Sequence, residues 1–273
     1  MVARRSVGAT VLAVCTVLVF SGCLFSSQKR EFDRGVKAMS HGDFDQGFQL
    51  LERVIQRDHN SKLAIEAARR GARTAYLEAK DYKRALDFNR QIVLLSSESE
   101  ERVNAQKQIA EIEFSDLANY EQAIIEYNKL LSLPHSAGDG FHYQLNVAKA
   151  YFQLNNFVQS GVEADELMTK PLNEDQKFEV LLFKANLYLT DKKLDAASNA
   201  FMELLTKYPE RAQKENVPLN LSVCYEEKGE FVKAIQILRD MKSYYPTPDF
   251  IDLKIRRLQE RAANLPGAEG LRK

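Results

Sequence analysis

Apolar positions along this chain recur in a pattern that itself repeats. Beyond about residue 31 they fall three and four places apart, as in Leu182, Ala185 and Leu189 or Leu145, Ala148 and Phe152. That spacing marks one face of an α-helix. Each run closes in a short polar turn, an aromatic or apolar residue opens the next run, and a small residue follows three positions later. The pairs are Phe44 with Gly47, Tyr82 with Ala85, Tyr120 with Ala123, Phe157 with Ser160, Leu194 with Ala197 and Phe231 with Ala234. Successive opening residues are 38, 38, 37, 37 and 37 positions apart. Six positions before each stands a second mark: Ala38, Tyr76, Phe114, Tyr151, Tyr188 and Tyr225. Two matched columns over six periods are a repeat, not coincidence.

One period therefore predicts two helices joined by a tight turn. The small residue lets the pair approach closely and the aromatics fill the space around it. Helices of about 14 residues are marginal alone in water, so the hairpins must stack on one another. Pro134, Pro171, Pro209, Pro246 and Pro248 are expected to punctuate the gaps between periods, while Pro218 suits the opening turn of a helix. Ser97 with Glu100, and Asn173 with Gln176, have capping-box spacing.

These columns, with the closing Tyr208-Pro209 and Tyr245-Pro246, resemble the tetratricopeptide repeat (TPR) family over roughly residues 28–248. Departures are the absence of Trp in helix one, Gly47 and Ser160 in place of Ala, Leu194 in place of the turn aromatic, and a period above the usual 34. The resemblance implies an all-α fold: a right-handed superhelical α-solenoid of about six hairpins over residues 31–264, closed by a capping helix from Asp249 to Asn264. Residues 265–273 read as a flexible tail.

Composition narrows the function classes. The 273 residues carry 38 Lys+Arg and 38 Asp+Glu, a formal net charge of +0, which excludes nucleic-acid binding by bulk charge. Scarce breakers, 12 Gly and 7 Pro, agree with a helix-rich chain. Three Cys are too few for a disulfide framework or a four-Cys zinc site.

The first residues are different in kind. Arg4 and Arg5 precede an uncharged stretch with an apolar centre from Val7 to Phe20, the layout of a secretory signal peptide. Its exit, Phe20-Ser21-Gly22-Cys23, resembles a bacterial lipobox, although Phe20 stands where Leu is usual. The expectation is a signal peptide over residues 1–22, lipidation (palmitate among the acyl chains) at Cys23, and a tether over residues 23–30. An uncleaved signal anchor is the alternative. Leu24 after the Cys, where Asp would resemble an inner-membrane retention signal, favours an outer-membrane, periplasm-facing protein.

No catalytic constellation is present: no His-Glu-x-x-His, no phosphate-binding glycine loop, no nucleophile elbow. His135 and His142 around Gly138-Asp139-Gly140 read as a solvated turn, and Cys224 as a small buried apolar residue. The chain is expected to be no enzyme, with no cofactor, no metal and no small-molecule substrate. Function must then lie on a surface. In the TPR resemblance the first helix of each hairpin lines a concave groove. Positions i, i+4 and i+7 there give Phe32/Val36/Met39, Arg70/Thr74/Leu77 and Gln108/Ile112/Ser115 in the early periods. The later periods give Leu145, Lys149 and Phe152, then Leu182, Asn186 and Leu189, then Leu219, Val223 and Glu226, the more apolar set. Such a groove suits an amphipathic helix or extended peptide. The alternative is that these residues merely pack neighbouring first helices together.

As a whole the chain resembles envelope TPR lipoproteins, such as that of the β-barrel assembly machine and the periplasmic coordinators of envelope constriction. The expected role is a membrane-anchored scaffold for envelope proteins or peptides in outer-membrane protein or cell-wall biogenesis. A pilotin-like factor assisting secretin, type IV pilus or secretion-system assembly is the alternative, and an adaptor for a peptidoglycan hydrolase is a third.

Overall fold

The computed structural model of the chain describes residues 27–264. The leader, Cys23 and the tail beyond 264 lie outside the described residues. Two compact units divide the chain after Ser132, and each has its own core.

The first unit holds three hairpins. Helix α1 covers residues 27–40, four positions earlier than the pattern placed it. It is followed by α2 (Phe44–Arg57), α3 (Lys62–Thr74), α4 (Tyr82–Leu95), α5 (Ser99–Glu111) and α6 (Tyr120–Leu131). Consecutive helices pack on one another from α2 to α6. Gln28 ties α1 into this stack: its side-chain amide donates to the Val54 carbonyl at 2.9 Å and to the Ser61 hydroxyl, the N-cap of α3, at 2.7 Å. The core is built from Phe48, Leu51, Val54, Phe88, Ile109 and Ile112 around a row of buried alanines.

The second unit comprises α7 (Ala137–Gln153), α8 (Phe157–Met168), α9 (Glu174–Thr190), α10 (Leu194–Lys207), α11 (Pro209–Lys214), α12 (Val217–Glu227), α13 (Phe231–Met241) and α14 (Pro248–Ala263). Three hairpins, α7/α8, α9/α10 and α12/α13, are followed by α14 packed on α13. Phe178, Phe201 and Leu204 fill the middle of this unit, and Leu238, Met241, Ile251 and Leu258 its end.

Every second helix begins at the residue the repeat marked: Phe44, Tyr82, Tyr120, Phe157, Leu194 and Phe231. Two positions before each, the backbone turns left-handed, at Gly42, Lys80, Ala118, Asn155, Lys192 and Gly229, with φ of 82, 55, 50, 56, 58 and 75°. This is the αL stop that ends one helix and reverses the chain in a hairpin. The small residues three places into each second helix are buried, and Ser160, in place of Ala, donates its hydroxyl to the Ala148 carbonyl at 2.9 Å.

The uneven period has a structural cause. In the two 38-residue periods, α3 and α5 are each 13 residues long and continue into a five-residue π-helix, Ala75–Ala79 and Ile112–Asp116. The corresponding helices of the next two periods, α7 and α9, are 17 residues of plain α-helix. One extra residue is thus absorbed as a wider turn, and the hairpin keeps its register. The Asp81 and Asn119 amides accordingly donate to the sixth residue back, Ala75 and Glu113, whereas Asn156, Lys193 and Glu230 donate to the fifth.

Three details depart from or add to the expected pattern. Pro209 and Pro248 fall between periods as expected, but each also opens a helix there, α11 and α14, because the first helical turn needs no amide donor. Helix α11 itself is an insertion between α10 and α12 that the repeat did not announce. At α5 the N-cap is Glu98 with no side-chain cap bond; in place of a Ser97–Glu100 box, Ser96 Oγ accepts from the Glu98 amide at 3.1 Å and donates to Glu101. The Asn173–Gln176 capping box forms as expected.

Candidate binding groove

The second unit carries a cavity of about 380 Å³. Helix α9 supplies most of its wall, because Phe178, Glu179, Leu182, Phe183 and Asn186 are spaced to share one helical face. Lys149 comes from α7, Arg211 from α11, and Glu215 from the turn after it. Lys149 Nζ pairs with the Glu179 carboxylate at 3.1 Å, bridging α7 and α9. The Arg211 guanidinium lies 4.1 Å from the centroid of the Phe178 ring and pairs with Asp175 at 2.6 Å. That cation–π placement is available only because α11 holds Arg211 over the start of α9. Tyr208 packs edge-on against Phe178, 5.4 Å between centroids, and its hydroxyl donates to Glu174 at 2.8 Å. The floor is apolar and aromatic, and the rim has both charges and an amide.

Of the residues the sequence placed in a groove, Lys149, Leu182 and Asn186 line this cavity. Asn186 also accepts a hydrogen bond from the Asn220 side-chain amide at 3.1 Å, linking α9 to α12. Phe152 is half-buried with its ring 6.0 Å from Phe183 and 5.7 Å from Phe157, so it backs the wall without lining the space. Leu189 is half-buried against the core of the unit. Leu219 packs against the core around Phe231, Val223 is half-buried, and Glu226 pairs with Arg261 of α14. These four stand apart from the cavity. Leu145 is corrected outright: it is 1% exposed and packs with Phe141, Ala164, Leu167 and Val180. In the first unit Phe32, Met39, Thr74 and Ile112 are likewise buried, so those positions pack the stack and line no groove.

Phe178, Glu179, Phe183, Arg211 and Glu215 were missed. Glu179 and Phe183 lie three before and one after Leu182, so a wider reading of the same helical face would have reached them. Arg211 and Glu215 had no such signal, since they depend on α11.

Chemistry elsewhere is quiet. Cys224 is fully buried, its thiol donates to the Leu194 carbonyl at 3.1 Å, and burial pushes its ionisation up. That is the state of an unreactive thiol. Among the described residues no group of three His, Cys, Asp or Glu is placed to hold a metal ion, and no helix is long and apolar enough to cross a membrane.

Residues 219–248, from α12 to the start of α14, match the tetratricopeptide repeat family. No curated protein matches the chain. Among solved structures the chain is similar to PilW, a widely conserved type IV pilus biogenesis factor, at 13% identity and a TM-score of 0.52 over 84% of this chain and 98% of that one. It is also similar to YrrB, a TPR protein with an unusual peptide-binding site, at 17% identity and a TM-score of 0.50 over 76% of this chain and 97% of that one. At such identities the likeness is one of fold. Hairpins packed in consecutive pairs, one matched repeat and these neighbours together give the chain the tetratricopeptide-repeat fold.

Proposed function

We propose that this chain is a membrane-anchored scaffold whose second unit holds a peptide or helix of an envelope-biogenesis protein. The observation that carries this reading is the cavity on α7, α9 and α11, with Phe178, Leu182 and Phe183 below and Lys149, Glu179, Asn186, Arg211 and Glu215 around it. Its roughly 380 Å³ is near the small end of ligand sites, room for a few anchor side chains of a longer segment that continues along the surface. The basic-then-apolar leader and Gly22-Cys23 favour lipidation at Cys23 and a place on the periplasmic side of the outer membrane.

The test is crosslinking in cells from a photoreactive side chain at position 186, with the partner identified by mass spectrometry. Leu182→Asp and Arg211→Glu variants are then assayed for binding of that partner, with circular dichroism as the check on folding. Binding should fall at least tenfold with both variants folded; unchanged binding would sink the reading. A Cys23→Ala variant that remains in the membrane at its full precursor mass would separately remove the lipid anchor.

A second reading, a factor assisting secretin or type IV pilus assembly, draws on the fold likeness to PilW. It predicts that the partner crosslinked from position 186 is a secretin or pilus subunit; a barrel-assembly or cell-wall protein there would exclude it.

A further inference from the structure

We propose that the outer face of α14 binds a second copy of this chain, the two helices lying antiparallel about a two-fold axis at Leu253. The contact involves neither the groove on α9 nor the lipid anchor.

Helix α14 packs on α13, and no helix follows it among the described residues. Its inward side chains are Ile251, Ile255, Leu258 and Ala262, which join the core around Leu238 and Met241. At 3.6 residues per turn the opposite side is centred on Leu253, with Asp249, Phe250, Arg256, Arg257 and Glu260 within about 60° of it. All six are exposed, and the apolar pair Phe250 and Leu253 each keep 39% of their surface in solvent. A repeat protein ordinarily shows water a polar outer face on its last element. The remaining charges of α14 are engaged or lie to the side. Asp252 pairs with Lys242 at 2.7 Å, Arg261 pairs with Glu226, and Lys254 stands 5.8 Å from the centroid of the Phe250 ring. Asp249, Arg256, Arg257 and Glu260 have no ion-pair partner among the described residues.

The order of these groups along the helix selects the occupant. Asp249 lies one turn before Leu253, and Arg256 and Arg257 lie one turn after it. A two-fold axis crossing the helix at Leu253 sets each side chain opposite one equally far on the other side. Leu253 then meets Leu253 of the second copy. On one flank Asp249 meets Arg256, and on the other the Phe250 ring meets the aliphatic stem of Arg257. Symmetry makes each of these flanking contacts twice. Glu260, a further turn out, comes to the N-terminal turn of the opposite helix, whose partial positive charge favours a carboxylate. A parallel pair would set Asp249 against Asp249 and arginine against arginine. A partner of one charge sign would match one turn of this face and be repelled by the next. A single helix of 16 residues is a small contact, so the dimer belongs with weak, transient interfaces.

The probe is the chain from residue 24 onward, which keeps every described residue and leaves buried Cys224 as its only thiol. Sedimentation equilibrium up to about 500 µM should show a monomer–dimer equilibrium with a dissociation constant of about 10–100 µM. Leu253→Asp puts two carboxylates together on the axis and should weaken the dimer at least about tenfold. Asp249→Arg and Arg256→Asp should each weaken it by about tenfold, because one substitution turns two attractive pairs repulsive. Mixed together, these two variants should pair at close to the parent strength, since each then meets its opposite charge; that rescue requires both to be folded. In cells, a photoreactive side chain at position 253 should crosslink the chain to itself. A chain that stays monomeric, variants that dimerise like the parent, or variants that fail to pair on mixing would each overturn the proposal. A crosslink from position 253 to another protein alone would do the same.

Discussion

Single residues carry the hairpin turns. Each of the six hairpin turns has one position of left-handed backbone, yet only at Gly42 and Gly229 is it glycine. For an L-residue that conformation costs about 1–2 kcal/mol, partly offset because glycine loses more freedom on folding. Ala118→Gly, with φ of 50°, should therefore stabilise the first unit by about 0.5–1 kcal/mol in chemical denaturation. The reverse change, Gly42→Ala, should cost about 1 kcal/mol although no atom lies within 4 Å of the added methyl, because the penalty is in the backbone. Equal stability of Gly42→Ala and the parent chain would refute the strain account. Gly71 is different in kind: a Cβ there would meet the Phe88 ring at 2.6 Å, so the restriction is one of close packing. The turns were legible in the sequence because polar residues before an aromatic and a small residue mark them locally. That Lys80, Ala118 and Lys192 take the glycine conformation was not, since nothing in those side chains announces it.

At the scale of elements, helix pairs are fastened by a few buried polar groups. Glu126 on α6 is 3% exposed and accepts from Gln106 of α5 at 2.6 Å, from Gln122 at 2.6 Å and from Lys129 at 2.8 Å. Burial alone would oppose its ionisation, but the hydrogen bonds from Lys129, Gln106 and Gln122 outweigh it and hold the carboxyl below the usual range. A carboxylate with a depressed folded pKa contributes stability above its unfolded value, about 4.3, and loses it as pH falls through the folded value. Glu126→Gln should accordingly cost about 1–3 kcal/mol at pH 7, and the gap from the parent chain should narrow below about pH 4. A gap independent of pH in melting curves at pH 7 and pH 3 would contradict this. The Asn173 cap on α9 is the parallel case for local chemistry: Asn173→Ala should cost about 1 kcal/mol, read by denaturation of the second unit. The capping box was legible because its partners are three residues apart in sequence. The Glu126 network was not, because Gln106 reaches it from another helix.

For the whole molecule, two cores that share no residue imply separable stability. Phe201 is fully buried among Phe178, Leu204 and Leu221. Phe201→Ala should cost about 3–5 kcal/mol. Repeat proteins lose stability through nearest neighbours, so hydrogen exchange should quicken first in α9, α10 and α12. Protection in α2–α4, around Phe48 and Phe88, should fall less. Uniform loss along the chain would argue for one cooperative body.

What the sequence alone determined is the hairpin: where each turn falls, where each second helix starts, and which small residue lets the pair close. Those features follow from capping, αL turns and 3.6-residue periodicity, all of which act within one repeat. Tertiary structure decided which side of a first helix meets solvent. A step of one residue turns a helical side chain by about 100°, so a stripe read as groove can belong to the core once a neighbour covers it. Leu145 went that way, while Leu182 and Asn186 stayed at the surface. Tertiary structure also decided the presence of α11 and, with it, Arg211 over Phe178. No periodic signal accompanies an insertion, and it is from that inserted helix and the turn after it that the groove takes Arg211 and Glu215.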